Sequence, residues 1–386
     1  MTVVVSLLWL TTAVASAAPQ RPVCPGPAAA GSALCHARLV TDAKGSPQAS
    51  FVPKGYGPAQ FRGGYGLPSA ASAAQTIAIV DAFDDPKIAS DLSAYSSQFG
   101  LPQCNSANPC FQKVNQLGNP SGPFPRTDSG WSLEIALDVE VAHGVCPNCR
   151  ILLVEANSNS LSDLAASVRT AARLGATEIS NSYGGSEFSS ELNETYAAPY
   201  SQPGIAVTVS SGDNGYGSFG FPAALSSVIT VGGTTLTLGA GNAYGGETVW
   251  GGAGSGCSQY AAAPPWQSFL TTCAGKRGTA DVAADADPNS GAAVYDTVRY
   301  QGRSGWFQVG GTSLSSPLVA AVYALAGGLP AGTTAASGLY GHLGDATVLH
   351  DVTSGSNGNC TTIMCRGVAG YDGPTGVGTP LGIGAF

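Results

Sequence analysis

Short apolar runs rich in β-branched residues recur through the middle of the chain, at 76–80 (TIAIV), 150–154 (RILLV), 205–209 (IAVTV) and 227–231 (SVITV). Each is of strand length and lacks the strict apolar/polar alternation of a strand with one wet face. Between them, segments at about 86–99, 131–143, 160–174 and 189–200, with a further one at 314–327, carry apolar residues at helical spacing. Buried strands alternating with helices predict an α/β fold whose central sheet is mostly parallel and covered by helices on both faces. In such sheets ligands gather outside the carboxyl ends of the strands, so the loops there come first for chemistry.

The amino terminus departs from this pattern. An apolar run at 3–10 followed by Ala15-Ser16-Ala17 has the form of a secretory signal peptide, assigned to 1–17, and is too short for a comfortable membrane span. Residues 18–58, rich in Pro, Ala and Gly, read as a short, weakly structured, propeptide-like segment, and 59–386 as one large domain. Ten cysteines, an even number, fit an oxidising compartment and an exported, extracellular protein. Pairing of neighbours along the chain would staple five small loops, although spacing alone does not establish connectivity. Cys146 and Cys149 form a CxxC pair without a thioredoxin context or a second CxxC, which favours a staple over redox or zinc chemistry.

With 44% hydrophobic and 10% charged residues the chain can build a core, so disorder is disfavoured. A net charge of -8 repels phosphate backbones, and no interior apolar run spans a bilayer, which removes nucleic acid and membrane as expected partners.

Three local signals carry candidate chemistry. Ser313 sits in GGTSLSSP (310–317), a Gly-rich turn opening an apolar helix. Such a turn presents a hydroxyl beside free backbone N–H groups at a positive helix end, which suits a nucleophile as well as a plain helix cap. Glu134 and Asp138 lie four apart on one face of an apolar helical stretch. Two such acids can share a proton and serve as an acid-range proton carrier, or simply face solvent. Asp213, in SSGDNG after an apolar strand, is a turn aspartate or a site residue. A histidine base is poorly supported. Only His36, His143, His342 and His350 exist, none in a setting typical of such a base, although Asp81 ends a strand where an Asp-His-Ser site would place its acid.

Together these segments resemble the sedolisins, the serine-carboxyl peptidases related to subtilisin. The similarity runs from about Gly55 to Phe386 through GYGPAQFRGGYGLP, TIAIVDAFDDP, the E-x-x-x-D helix, SNSYGG, SSGDNG, FPAALSSVITVGGT, DVAADADP, GGTSLSSP and GYDGPTGVGTP, in that order. The resemblance implies a subtilisin-like fold and a secreted, acid-acting, serine-type endopeptidase that takes protein or peptide substrates as a monomer. It makes Ser313 the nucleophile, Glu134 the general base and acid, Asp138 its orienting partner and Asp213 the oxyanion stabiliser. The last role requires a neutral carboxyl. It also makes Ser182-Tyr183-Gly184 the strand that pairs with extended substrate. Finally, it implies one structural Ca²⁺, held by side-chain oxygens of Asp351 and Asp372 and carbonyls of Val352, Val368 and Gly370. Sedolisins carry a folded prodomain, and the residues between the expected signal and Gly55 are too few for one, so restraint of activity would come from elsewhere. A catalytically silent exported binding protein on the same scaffold is the alternative. An Asp81-His-Ser313 peptidase is a further one.

Overall fold

A computed structural model describes residues 17–330 and 332–386. The expected signal segment lies outside the described residues apart from Ala17. The amino-terminal part forms three short strands, β1 (Gln20–Pro22), β2 (Leu34–Cys35) and β3 (Arg38–Val40). A short helix, α1 (Pro58–Gly64), leads into the main sheet.

The strands of that sheet are β4 (Thr76–Ala82), β5 (Phe111–Asn115), β6 (Arg150–Ala156), β7 (Glu178–Asn181), β9 (Ala206–Ser210), β10 (Ile229–Leu238) and β11 (Tyr244–Val249), with Tyr183–Gly184 forming a separate short β8. Their spatial order is β11-β10-β9-β7-β4-β6-β5, and Val282–Asp285 also pairs with β10. All neighbours run parallel except β10 and β11. β4 and β6 are buried along their length after the first residue, which is why they read as unbroken apolar runs. The chain first builds towards β5 and then reverses to β7, β9 and β10, so β4 marks the topological switch point where a crevice is expected.

Three long helices position the site: α3 (Ser129–Val145), α4 (Leu161–Arg173) and α5 (Thr312–Ala326), while α2 (Ile88–Phe99) packs on α3. Both α3 and α4 pack against β4 and β6 but not extensively against each other, which puts them on opposite faces. α5 runs beside α3 and across β7 and β9. A single continuous apolar cluster joins these layers.

Two expectations need correction. Residues 189–200 are not an α-helix but a series of turns ending in the 3-10 turn Ala198–Tyr200. The Asn193 side chain accepts from the backbone N–H groups of Thr195 and Tyr196, and Glu191 accepts from that of Phe188; such local bonds compete with a helix. Nor is the amino-terminal segment weakly structured. β1 and β3 extend the hairpin Ala292–Tyr300/Arg303–Gly310 into a four-stranded sheet, and β2 pairs with β8. The five disulfides join neighbouring cysteines: Cys24–Cys35, Cys104–Cys110, Cys146–Cys149, Cys257–Cys273 and Cys360–Cys365.

Candidate active site

The four candidate residues converge where α3 and α5 meet the carboxyl ends of the central strands. α3 starts at Asp128, whose side chain accepts from the backbone N–H groups of Gly130 and Trp131. Beyond Ser129 every residue of the helix is buried. The face bearing Glu134 and Asp138 is therefore not a solvated one, and both side chains are fully buried.

Ser313 is the second residue of α5. The turn before it requires glycine, because Gly311 has a φ of 95° and a Cβ there would overlap the His36 carbonyl and the Asp213 carboxyl. Pro317, four residues on, has no N–H to offer the Ser313 carbonyl. The Ser182 hydroxyl approaches that carbonyl instead, at 3.4 Å, while the Ser313 hydroxyl donates to the Ser182 carbonyl at 3.2 Å. The candidate nucleophile is thus fixed reciprocally to the residue that begins the expected substrate strand.

Burial dominates the electrostatics. It pushes the Glu134 carboxyl well above the usual range, with Asp138 and Asp81 adding like-charge repulsion and the Ser313 hydroxyl opposing it. Burial likewise raises Asp138, moderated by Ser182 and Glu134. Neither carboxyl has an aligned hydrogen-bond partner in this state, so these neighbours bias the protons without holding either group in a formed bond. Asp81, at the end of β4, is raised by the same burial and by Asp138 and Glu155. Three neighbouring acids in a dry pocket do not all ionise together, so burial and like charge favour keeping protons in the cluster.

Asp213 follows β9 and bonds to the first residue of α5. Its Oδ1 accepts from the Thr312 N–H at 2.8 Å and the Thr312 hydroxyl at 2.9 Å. Its buried Oδ2 has no hydrogen-bond partner, and the Arg38 Nε stands 3.8 Å away. Burial lifts this carboxyl to about 7, against the opposing pull of Thr312 and Arg38. Below that pH it is a neutral O–H donor beside the Ser313 N–H.

No histidine takes the place of Glu134. His143 bonds to the Pro102 carbonyl, and the His36 ring pairs with the Ser210 hydroxyl at 2.7 Å. Asp81 belongs to the acid cluster instead of an Asp-His pair. Reading the sequence missed Thr312, which holds Asp213, and Arg38, which faces it. The first was legible as the residue preceding Ser313; the second lies in a segment with no visible motif.

Ser182 and Tyr183 are buried and Gly184 half-buried. The Tyr183 hydroxyl donates to Asn181 Oδ1 at 2.8 Å, leaving its backbone edge for pairing, and that edge is taken by β2.

The candidate metal residues also come together near the carboxyl terminus. Asp372 Oδ2 accepts from the Val368 N–H at 3.1 Å, Asp351 Oδ2 accepts from the Gly370 N–H at 2.9 Å, and Val352 runs beside Gly367. Burial lifts Asp372 to about 7, and the Asp351 charge adds to the rise against bonds from Thr375 and Val368. Among the described residues neither carboxylate forms an ion pair with a basic side chain. Two facing carboxylates without a counter-cation, on loops rich in carbonyls, fit a hard, oxygen-ligated ion.

A family model described as "Subtilase family" matches residues 126–337. Sedolisin of Pseudomonas sp. (strain 101) is 28% identical over 375 residues, covering 88% of this chain and 61% of that protein. Kumamolisin of Bacillus sp. (strain MN-32) is 30% identical over 392 residues, covering 90% and 66%. Xanthomonalisin of Xanthomonas sp. (strain T-22) is 30% identical, covering 85% and 44%. The chain thus spans between 44% and 66% of the length of these relatives. Among solved structures, a Pseudomonas sedolisin, described as a serine-carboxyl proteinase complexed with pseudo-iodotyrostatin, aligns with a TM-score of 0.71 at 29% identity, covering 85% of this chain and 96% of that one. Sphericase aligns at 0.51 and 17% identity, covering 86% and 99%, a likeness of fold.

Proposed function

The chain belongs to the subtilase family, and from that membership and its sedolisin-like acid cluster we propose that it is an acid-acting serine-carboxyl endopeptidase. The observation that carries the reading is the buried carboxyl of Glu134 beside the Ser313 hydroxyl, in a pocket that also contains Asp138 and Asp81.

In the proposed reaction the Glu134–Asp138 pair first gives up one of its protons, and Ser313 Oγ then attacks the substrate carbonyl carbon while its own proton passes to Glu134. Asp138 carries the proton the pair shares and orients Glu134. The oxyanion that forms meets the Ser313 N–H and the protonated Asp213. Glu134 then delivers its proton to the leaving amine nitrogen, leaving an ester on Ser313. Water attacks that ester by the same steps in reverse, releasing the carboxylic acid and restoring the serine. The backbone edge of Ser182, Tyr183 and Gly184 would pair with extended substrate, so protein or peptide chains are the substrate class. A Ca²⁺ at Asp351, Asp372 and the carbonyls of Val352, Val368 and Gly370 would neutralise two facing carboxylates and brace the carboxyl-terminal loops. The five disulfides fit a secreted enzyme, and among the described residues no helix is long and apolar enough to cross a membrane. A monomer is the expected working form.

The test is hydrolysis of a denatured protein across about pH 2 to 8 after acid incubation, comparing wild type with Ser313→Ala and Glu134→Ala. Acid-side activity lost in both variants is expected. A folded wild type inactive at every pH, or a fully active Glu134→Ala, would overturn the reading.

A further inference from the structure

Near the end of α3 that points away from Glu134, two sulfurs and an imidazole gather. Cys104 and Cys110 close a loop between α2 and β5, and a ring nitrogen of His143 joins both sulfurs in a group whose atoms all lie within 4.8 Å of one another. His143 stands five residues beyond Asp138, about 7.5 Å further along the helix axis. Among the described residues no other three histidine, cysteine or carboxylate side chains meet within that distance. The ring is set up as a ligand. Its Nε2 donates to the Pro102 carbonyl at 3.0 Å, which puts the hydrogen on Nε2 and leaves a bare lone pair on Nδ1. Nδ1 is buried without a hydrogen-bond partner, and the residue as a whole is 0% exposed. A backbone carbonyl on the other ring N–H is the usual outer partner of a metal-bound histidine, because it fixes both tautomer and ring plane.

The loop between the cysteines has bonds of its own besides the disulfide. Asn105 Oδ1 accepts from the Ala107 and Asn108 N–H groups at 2.9 and 3.1 Å, and Asn108 Nδ2 donates to the Gln103 carbonyl at 3.1 Å. Gln103 is tied to α2 through Ser93, whose hydroxyl donates to its Oε1 and whose carbonyl accepts from its Nε2. The Cys110 carbonyl accepts from the Ile151 N–H at 2.7 Å, which anchors the other end of the loop to β6. Opening the disulfide therefore leaves both sulfurs beside the ring. A tetrahedral Zn²⁺ with Zn–S bonds of about 2.3 Å needs sulfurs about 3.8 Å apart, which side-chain rotation supplies from Cα atoms 4.9 Å apart. Asn108 Nδ2 also approaches Cys110 Sγ at 3.3 Å, and such a donor favours a thiolate.

We propose that Cys104, Cys110 and His143 form a soft-metal site that the disulfide closes and reduction opens, taking one Zn²⁺-like cation through two thiolates and the imidazole Nδ1, with water in the fourth place. The opening step needs a dithiol. Its two S–H groups become a disulfide, giving up two electrons and two protons, while the Cys104–Cys110 bond breaks and each sulfur becomes a thiol. Metal binding then releases those two protons to water.

Charge and access both suit this exchange. Two thiolates and a neutral imidazole around a dication carry no net charge, so a site with Cys110 and His143 buried leaves no uncompensated ion in the interior. Cys104 is half-buried and residues 105–109 are exposed, which gives a dithiol and then a cation a path from solvent. In the oxidised state the loop is stapled only to itself, whereas in the metal-bound state it is clasped to α3. The site lies apart from the acid cluster, and the proposal does not rest on the peptidase reading.

Cobalt titration of full-length Ser313→Ala, reduced with a dithiol and desalted without oxygen, tests the site, with circular dichroism to check the fold. One Co²⁺ per chain should bind and show thiolate-to-cobalt charge-transfer absorption, and the oxidised protein should show none. In the same background Cys104→Ser/Cys110→Ser should abolish that absorption and Cys146→Ser/Cys149→Ser should leave it unchanged. His143→Gln should weaken binding by more than the roughly 10-fold that losing an outer partner costs. A folded, reduced protein without the absorption would overturn the proposal, as would binding that ignores His143→Gln or that depends on Cys146 and Cys149. Cys104→His covers the case in which reduction melts the chain, because it needs no reductant, leaves the other four disulfides closed and offers one thiolate and two imidazoles. It should bind one Co²⁺ with the same kind of absorption, and a folded variant that does not would overturn the proposal.

Discussion

Replacing Asp213 with asparagine isolates one buried proton. Asparagine can keep both Thr312 bonds at Oδ1 and offers an N–H where the wild type has its unpaired Oδ2, so shape and neutral donor persist while titration disappears. In the native protein burial lifts Asp213 to about 7, against 3.8 for a free side chain. The native state therefore holds a proton that the unfolded chain has released over that interval. Stability from this group is present below about 3.8 and is lost as pH rises, at about 1.4 kcal/mol per unit, until the native group ionises near 7. Over about three units the loss is on the order of 4 kcal/mol. Urea unfolding at pH 4, 5, 6, 7 and 8, with Ser313→Ala in both proteins to prevent self-digestion, reads it directly. The stability of the Asp213→Asn protein relative to its parent should climb through pH 4 to 7 and flatten above. Parallel curves across the whole range would refute a buried, protonated Asp213.

Glu134→Gln should cut kcat by about 10² to 10⁴-fold with the fold intact, and Asp138→Asn by less, as kinetics on a peptide substrate would read. Thr312→Val leaves the Gly212 N–H without its 3.0 Å acceptor and should cost about 1–3 kcal/mol, measurable by urea titration, while moving the Asp213 midpoint further up. Chelation with EDTA should lower the melting temperature of wild type but not of Asp351→Asn/Asp372→Asn, with the temperature restored by added Ca²⁺. The whole protein should be more stable at pH 5 than at pH 8. Burial lifts Asp85 to about 7, Glu178 and Asp296 to about 8 and Glu155 to about 9, so all of them hold protons that the unfolded chain has lost. His36, His143 and His350 act in the opposite sense below about 6.5. A melting temperature that peaks at pH 8 would contradict this.

The central strands were legible because burial on both faces turns a strand into an unbroken apolar word, and β4 and β6 are such strands. Glu134 and Asp138 were legible as a pair but not as a buried pair. Helical spacing shows that two residues share a face, yet α3 is covered on every side, and periodicity is silent when no side is wet. A local hint exists in hindsight, since residues 129–145 contain three acids and no Lys or Arg, an odd composition for an exposed helix. The placement of residues 32–40 was not legible at all. Their partners are Tyr183, Gly184, Val309 and Gly310, far along the chain, and a strand that borrows its neighbours from such distances needs no pattern of its own.

The same physics connects the acid site with the rest of the molecule. Sixteen Lys and Arg side chains serve the whole chain, and few of them reach the interior acids. Arg277 pairs with Asp281 and Lys113 with Asp84 and Glu155, whereas Asp81, Glu134, Asp138 and Glu178 have no basic side chain within ion-pair distance among the described residues. Burial biases a carboxyl without a cation towards the neutral acid, because stripping water from an unpaired charge is costly. A fold that buries so many acids with so few bases is therefore a fold that favours protons. Glu134 and Asp138 belong to that set, and in the proposed reaction it is their protons that pass to and from the Ser313 hydroxyl.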